Sequence, residues 1–272
     1  MLFIYSRLLT HNIDMLIFII LGIIQGLTEF LPISSSGHLV LFENIFGVEG
    51  DLIFLNVVLH LGTLLSVCLY YRKTLWGYIK KPFQKEVGYL AVATVPAVLM
   101  VLALRAVVEA SFGGQYLAFG FLLSALMLTI AAIVLKTRGD RNNNVVKPFT
   151  IKTALVMGVF QAFAIFPGIS RSGATICGGI MFGADKEKAA NFSFLMSIPI
   201  ILASLVFECF KLSPASFDTG VPAMLIGFVF AFVFGLLAIS VMLKMVRKAN
   251  FWWFIVYLVA LGVGVTIWQV LA

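Results

Sequence analysis

Long apolar stretches separated by short polar segments run through the whole 272-residue chain. A membrane-spanning helix needs about 20 consecutive, mainly apolar residues. Stretches of about this length lie at 52–71, 88–108, 115–135, 190–210, 221–243 and 251–271. Because a chain in lipid must satisfy its backbone hydrogen bonds within each segment, these stretches predict six membrane-spanning helices.

Two further apolar regions are too short to span. Residues 16–31 predict a helix of about 24 Å, whereas the hydrocarbon core is about 30 Å thick. Pro32 and three serines end this helix, and an apolar run returns over 39–47. Residues 153–166 and the short run after them repeat the arrangement. We therefore predict two re-entrant helical hairpins, whose breaks are buried in protein or line a wet cavity.

An internal repeat connects the two hairpins. The segment GIIQGLTEFLPISSSG at 22–37 aligns without gaps with GVFQAFAIFPGISRSG at 158–173, and seven of the sixteen positions are identical. Three predicted spans separate the hairpins, so the two halves should have opposite orientations. We predict an all-α polytopic membrane protein forming a single domain over residues 1–272. It should contain two inverted-topology repeats, about 15–136 and 151–272, each with one re-entrant hairpin and three transmembrane helices.

Composition and charge agree with a membrane location. Hydrophobic residues make up 61% of the chain and charged residues 11%, against about 45–50% and 25% in soluble domains. The net charge of +7 comes from basic residues that flank the spans, so it indicates orientation and not nucleic-acid binding. Placing the basic loops after the first, third and fifth spans in the cytoplasm puts both termini outside, and the first hairpin then enters from the outer face. We expect no cleavable signal peptide, since the apolar run after Met15 lacks a small-residue cleavage site. A start at Met15 instead of Met1 is left open.

The first hairpin contains the polar motif EFLPISSSGH, which begins at Glu29. Glu29 ends its helix, where the helix dipole disfavours an anion, and a carboxylate at membrane depth is a candidate for function. The hydroxyls of Ser34, Ser35 and Ser36, with the N–H groups of the return helix, predict a phosphate cradle in which one serine caps the helix. His38 can exchange protons near neutral pH or attack phosphorus.

The second hairpin contains PGISRSGAT, in which Arg171 occupies the position that the repeat gives to Ser35. The planar guanidinium of Arg171 suits phosphate oxygens. An ion pair with Glu29 is the alternative, and both hold if the pair exists only without substrate. The other predicted substrate-binding residues are Gln25, Ser34, Ser36, Gly168, Ser170, Ser172 and Thr175. Together the two hairpins suit phosphoryl transfer from a lipid-borne phosphate.

Two polar residues, Asn56 and His60, lie four positions apart on the first predicted span. Hydrogen bonding between helices is the expected role of such residues. Lining of the cavity is the alternative.

The motifs QGLTEFLPISSSGH and PGISRSGAT together resemble those of the bacterial undecaprenyl-diphosphatase family, also called the bacitracin-resistance family. The resemblance covers the chain from about residue 15. It implies hydrolysis of undecaprenyl diphosphate to undecaprenyl phosphate and inorganic phosphate, which recycles the lipid carrier for peptidoglycan synthesis and confers bacitracin resistance. It also implies a divalent cation, Mg²⁺ or Ca²⁺, and a site open to the outer face of the bacterial inner membrane. The first position of the family's acidic motif is Glu or Gln. Here it is Gln25, which makes Glu29 the main carboxylate.

The resemblance makes Glu29, Ser35, His38 and Arg171 the catalytic candidates. Arg171 is expected to grip the diphosphate, and Glu29 to hold the cation as its predicted metal ligand. Ser35 is expected to attack the terminal phosphorus or to position water, with His38 as the proton-transfer partner. The nucleophile is left open between Ser35, His38 and water. The oligomeric state is also left open, a homodimer included.

Two alternatives come from other classes of membrane protein. Inverted repeats with facing broken helices are a transporter plan, so a polyprenyl-phosphate flippase is the main alternative. A second superfamily of integral lipid phosphatases also has Ser-Gly-His and Ser-Arg elements, but needs a histidine–aspartate pair after the arginine. No histidine follows His60 in this chain, which argues against that superfamily.

Overall fold

The computed structural model describes residues 2–46, 53–140, 147–210 and 221–271, and all regular secondary structure in them is helical. The twelve helices of these residues are α1 (Leu2–Phe30), α2 (Ser35–Phe46), α3 (Ile53–Tyr70), α4 (Arg72–Lys80), α5 (Lys85–Ala103), α6 (Arg105–Ser111), α7 (Leu117–Asp140), α8 (Ile151–Phe163), α9 (Arg171–Phe182), α10 (Lys186–Cys209), α11 (Val221–Arg247) and α12 (Trp252–Leu271). Five of them, α5, α7, α10, α11 and α12, are long and apolar enough to cross a membrane, and α3 with α4 forms a sixth, bent candidate. The predicted all-α, multi-pass membrane protein is therefore confirmed.

Two predicted boundaries were wrong, those of the first helix and of the second span. The first helix begins at Leu2 and not at residue 16, because neither Gly nor Pro interrupts the chain before Met15. The first span, predicted at about 52–71, does end at Tyr70, where the chain turns by 78° into α4. The basic residues of α4 favour this turn out of the apolar region. The second span, predicted to reach residue 108, ends at Ala103, and the separate helix α6 begins with the charged Arg105.

Each predicted hairpin is a pair of helices joined by a short break, α1 to α2 and α8 to α9. Repeat-equivalent serines cap the two return helices. The hydroxyl of Ser34 accepts a hydrogen bond from the backbone N–H of Gly37 at 3.3 Å, and that of Ser170 accepts one from Gly173 at 3.1 Å. The prediction that one serine of the first motif caps its helix is confirmed.

Helices from the two halves of the chain pack in a reciprocal way. Helix α1 packs on α11, and α8, its counterpart in the repeat, packs on α5, the counterpart of α11. The contact is close at equivalent glycines, because Gly22 lies against the backbone of Gly227 and Gly158 against that of Ala93. This is the packing that two related halves predict. Their inverted orientation and the repeat boundaries stay predictions.

Candidate active site

The breaks of the two hairpins touch each other. A Cβ atom at Gly37 would lie 2.8 Å from the Cα of Gly168, so only glycine fits there. Gly168 itself has a φ of 90°, which glycine adopts without strain. The hydroxyl of Ser172 donates a 3.0 Å hydrogen bond to the carbonyl of Leu31. The polar residues of both halves are thus brought to one place.

The carboxylate of Glu29 lies at the centre of the polar residues from the two breaks. Glu29 is only 7% exposed. Its Oε2 accepts hydrogen bonds from the Ser35 hydroxyl at 2.6 Å and from the Gln25 amide at 3.2 Å. Its Oε1 accepts one from Arg171 at 2.5 Å. The predicted ion pair between Glu29 and Arg171 is therefore present, and these four side chains form one connected group.

The guanidinium of Arg171 is the more accessible partner of the ion pair. Its side chain is 14% exposed, against 6% for that of Glu29. It also donates a 3.4 Å hydrogen bond to the carbonyl of Ser193 on α10. A buried charge is costly unless it is paired and hydrogen-bonded, so each ion holds the other in place. An anion that enters the site can reach the guanidinium more easily than the carboxylate.

The hydroxyl of Thr175 connects the turn of α9 that carries Arg171 to Ser193 on α10. It donates a 2.9 Å hydrogen bond to the Arg171 carbonyl and lies 2.7 Å from the hydroxyl of Ser193. Both Thr175 and Ser193 are completely buried. Sequence reasoning missed Ser193, because one serine within an apolar span gives no distinct signal. Binding of substrate by Thr175 stays a prediction.

A serine of α7 holds the second break in place. The hydroxyl of Ser124 accepts a 2.9 Å hydrogen bond from the backbone N–H of Ser170 and donates one of 3.1 Å to the Gly168 carbonyl. Sequence reasoning missed Ser124 for the same reason as Ser193. In this structure the hydroxyls of Ser170 and Ser172 bond within the protein, while Ser36 is half-buried in the first turn of α2. Their contacts with substrate stay predictions.

His38 has hydrogen-bond partners other than those of the Glu29 group. It is 3% exposed, and its Nδ1 lies 2.7 Å from the carbonyl of Ser34. A carbonyl only accepts, so Nδ1 carries the proton and Nε2 accepts from the Tyr257 hydroxyl, 2.6 Å away. The two rings are stacked, with centroids 5.7 Å apart. None of the contacts described for His38 joins it to Glu29, Ser35 or Arg171, and Tyr257, on α12, was not predicted.

The imidazole of His38 is also bonded to a residue with an unusual backbone conformation, Ser34. Its backbone has a φ of 72°, in the left-handed region that non-glycine residues seldom adopt. Such a conformation costs of order 1–3 kcal/mol and persists only where its surroundings hold it. The bond from the His38 ring to the Ser34 carbonyl is one of the contacts that hold it. The His38 ring is thus bonded to the turn that precedes Ser35, and its predicted role in proton transfer stays a prediction.

A cation bound to Glu29 would compete with the protein partners of its carboxylate. Both carboxylate oxygens already accept hydrogen bonds, one of them from a guanidinium. The positive charge of Arg171 opposes a second cation close by. Among the described residues, no three His, Cys, Asp or Glu side chains are grouped to hold a metal ion. Glu29 as a metal ligand therefore stays a prediction.

The fold and the site define an integral membrane protein that holds a carboxylate, a hydroxyl and a guanidinium between two broken helices. The sequence matches the family described as Bacitracin resistance protein BacA over residues 18–264, and the chain belongs to this family. The predicted family is confirmed.

Curated relatives match almost from end to end. The chain is 38% identical over 262 residues to the undecaprenyl-diphosphatase of Christiangramia forsetii, covering 92% of this chain and 96% of the relative. It is 37% identical over 255 residues to that of Carboxydothermus hydrogenoformans, with the same two coverages. It is 36% identical over 257 residues to that of Methanobrevibacter smithii, covering 87% and 91%.

Proposed function

We propose that this protein is an undecaprenyl-diphosphatase. It hydrolyses undecaprenyl diphosphate to undecaprenyl phosphate and inorganic phosphate, which recycles the carrier for peptidoglycan synthesis and gives resistance to bacitracin. The observation that carries the proposal is the hydrogen bond from the Ser35 hydroxyl to Glu29, whose other oxygen is paired with Arg171. The names of relatives that align over most of the chain support it.

Ser35 and Glu29 have the arrangement of a nucleophile and its base. A serine hydroxyl becomes nucleophilic when an adjacent base within hydrogen-bonding distance takes its proton. The Ser35 oxygen attacks the terminal phosphorus while Glu29 accepts the hydroxyl proton. The bond to the bridging oxygen breaks, and undecaprenyl phosphate leaves. Water then hydrolyses the phosphoserine, which releases inorganic phosphate and restores Ser35.

Arg171 binds the phosphate in this proposal. Its fork of N–H donors matches phosphate oxygens as well as carboxylate oxygens. When the diphosphate enters, the guanidinium exchanges Glu29 for the phosphate, and the carboxylate is then free to accept the Ser35 proton. The ion pair belongs to the substrate-free protein. A bound divalent cation would offset the remaining negative charge on the two phosphates.

The site faces the outer side of the bacterial inner membrane in this proposal. Helix α4 supports this orientation, because it carries Arg72, Lys73 and Lys80 and turns out of the line of α3 by 78°. A basic amphipathic helix suits the cytoplasmic membrane surface. With α4 on that surface, the first hairpin approaches from the opposite, outer face.

Phosphate release by the purified protein in detergent tests the proposal. Undecaprenyl diphosphate is the substrate, and Ser35→Ala is compared with Ser204→Ala, which removes the hydroxyl of an exposed serine on α10. We expect Ser35→Ala to lose at least about 10²-fold in kcat and Ser204→Ala to keep the wild-type rate. Absence of phosphate release from the wild-type protein contradicts the proposal. It favours the flippase, because a pure transporter hydrolyses nothing and has no gradient to act on in micelles.

A further inference from the structure

A second group of polar side chains lies between α2 and α3. It consists of Glu43 on α2 and of Asn56 and His60 on α3, all half-buried. The amide of Asn56 is hydrogen-bonded to the carboxylate of Glu43. The Nδ1 of His60 lies 2.7 Å from the backbone carbonyl of Asn56. The three side chains are thus linked to one another.

Two oxygen atoms of this group have no hydrogen-bond partner. Oε1 of Glu43 and Oδ1 of Asn56 are shielded from solvent, and neither accepts a hydrogen bond within the described parts of the chain. A buried acceptor without a donor carries a free-energy cost, because it has lost its hydrogen bonds to water. Hydrogen bonding between helices, the role expected for Asn56 and His60, leaves this cost in place. A bound cation removes it, because carboxylate and amide oxygens are ligands that hard divalent cations prefer.

His60 has the arrangement of a metal-binding histidine. Its Nδ1 donates to a backbone carbonyl, which leaves the lone pair on Nε2. Histidines that bind metals almost always donate their other ring N–H to a carbonyl, a carboxylate or water. His60 also interacts electrostatically with both Glu29 and Glu43. His60 is therefore within electrostatic range of both carboxylates.

The side chains of the Glu29 group do not balance the negative charge of a diphosphate. Gln25 is neutral, and the charge of Glu29 is paired with Arg171, so the Glu29 group has no uncompensated carboxylate. A diphosphate brings several negative charges, and one guanidinium does not offset them. Glu43 supplies a second carboxylate beside the site without competing with Arg171.

We infer that Glu43, Asn56 and His60 form a binding site for a divalent cation next to the catalytic group. The two oxygens suit Mg²⁺ or Mn²⁺, and the imidazole nitrogen favours Mn²⁺ over Mg²⁺, with water or phosphate oxygens as the remaining ligands. The site holds the cation where the phosphates of a substrate bound at Arg171 meet it. This inference deepens the proposed function and assigns the cation to residues other than Glu29.

Binding of Mn²⁺ to the purified full-length protein tests the inference in the absence of substrate. Electron paramagnetic resonance of the free ion measures affinity, and Mg²⁺ is added as a competitor. Glu43→Gln and His60→Gln are the test variants. Glu187→Gln is the matched control, because Glu187 is an exposed carboxylate paired with Arg247. Gel filtration and thermal unfolding check that each variant is folded.

We expect each test variant to lose at least about tenfold in Mn²⁺ affinity and Glu187→Gln to stay within about threefold of wild type. Glu29→Gln should lose less than either test variant, because it changes a charge near the site and not a ligand. Three results overturn the inference. The first is a wild-type protein that binds no Mn²⁺. The second is a pair of test variants that bind like wild type or lose no more affinity than Glu187→Gln. The third is a loss of Mn²⁺ affinity that is confined to Glu29→Gln.

A variant with the opposite effect covers the case in which Glu43→Gln does not fold. Asn56→Asp places a second carboxylate beside Glu43, so Mn²⁺ should bind more tightly and should raise the unfolding temperature more than in wild type. Unchanged or weaker binding contradicts the inference. Because no substrate is present, these results do not depend on whether the protein hydrolyses undecaprenyl diphosphate, which the phosphate-release assay decides separately.

Discussion

The hydroxyl of Ser35 lies 2.6 Å from the carboxylate of Glu29, across the break between α1 and α2. The break allows this contact, because the two residues lie on different helices whose ends meet there. A serine within hydrogen-bonding distance of a buried carboxylate has its base in place before substrate arrives.

Glu29→Gln should therefore lower kcat by about 10²- to 10⁴-fold, since the amide keeps the shape of the side chain and cannot take the Ser35 proton. Phosphate release under saturating substrate measures the effect. The kcat of Glu29→Asp should lie between those of the wild type and Glu29→Gln, because aspartate keeps the carboxylate base but holds it farther from Ser35. A Glu29→Gln protein with near-wild-type kcat would rule Glu29 out as the base.

Arg171→Ala should destabilise the protein as well as inactivate it. Removal of one partner leaves the other charge buried and uncompensated, at a cost of about 3–5 kcal/mol. The double variant Glu29→Gln/Arg171→Ala should recover part of this stability, since it no longer buries a lone charge. Unfolding in mixed micelles, followed by circular dichroism, measures the stability of the single and the double variants. Equal stability of the single and double variants would contradict the coupling.

The variant Arg171→Lys tests whether the shape of the Arg171 guanidinium matters in addition to its charge. Lysine keeps the positive charge but lacks the planar fork that binds two oxygens at once. We expect KM to rise by about tenfold or more, with a smaller loss of stability than in Arg171→Ala. Steady-state kinetics gives the two parameters. An unchanged KM would exclude bidentate binding of phosphate by Arg171.

Tyr257 should act on the reaction only through His38. Tyr257→Phe keeps the stacked ring and removes the hydroxyl that donates to Nε2. We expect a fall in kcat of about tenfold or less, in line with the loss of one hydrogen bond of about 1 kcal/mol. In a His38→Gln background the same substitution should have no further effect. Additive effects of the two substitutions would contradict this dependence.

Gly37→Ala should separate the two hairpins. The added methyl group would lie 2.8 Å from backbone atoms of Gly168, which cannot move without shifting the second break. We expect a loss of about 1–3 kcal/mol in stability and a large loss of activity. Gly264→Ala is the matched control, because no group of the described residues outside its own helix turn lies within 4 Å of the position its Cβ would take. Similar behaviour of the two variants would show that the close approach is unimportant.

The parts of the site that the sequence predicts are those where lipid imposes a penalty. A carboxylate and a guanidinium at membrane depth must be paired, and the repeat places Glu29 and Arg171 in equivalent breaks, so their contact was foreseeable. The short apolar lengths and the prolines predict the two hairpins for the same reason.

The supporting residues could not be predicted in this way. Ser124, Ser193 and Tyr257 each lie within an apolar span, and whether such a side chain faces lipid or the site depends on the rotation of its helix. That rotation is set by packing against other helices, which a single sequence does not contain. The clue to Asn56 and His60 was their spacing, but the part played by Glu43 required the structure.

The reciprocal packing of α1 on α11 also bears on how the chain is assembled. Gly22 is synthesised 205 residues before Gly227, the residue against which it lies. During insertion, the part of α1 around Gly22 therefore lacks its partner helix until most of the chain has been synthesised. The contact between the two helices is among the last that the growing chain can form, so α11 completes the packing of a helix made at the start of synthesis.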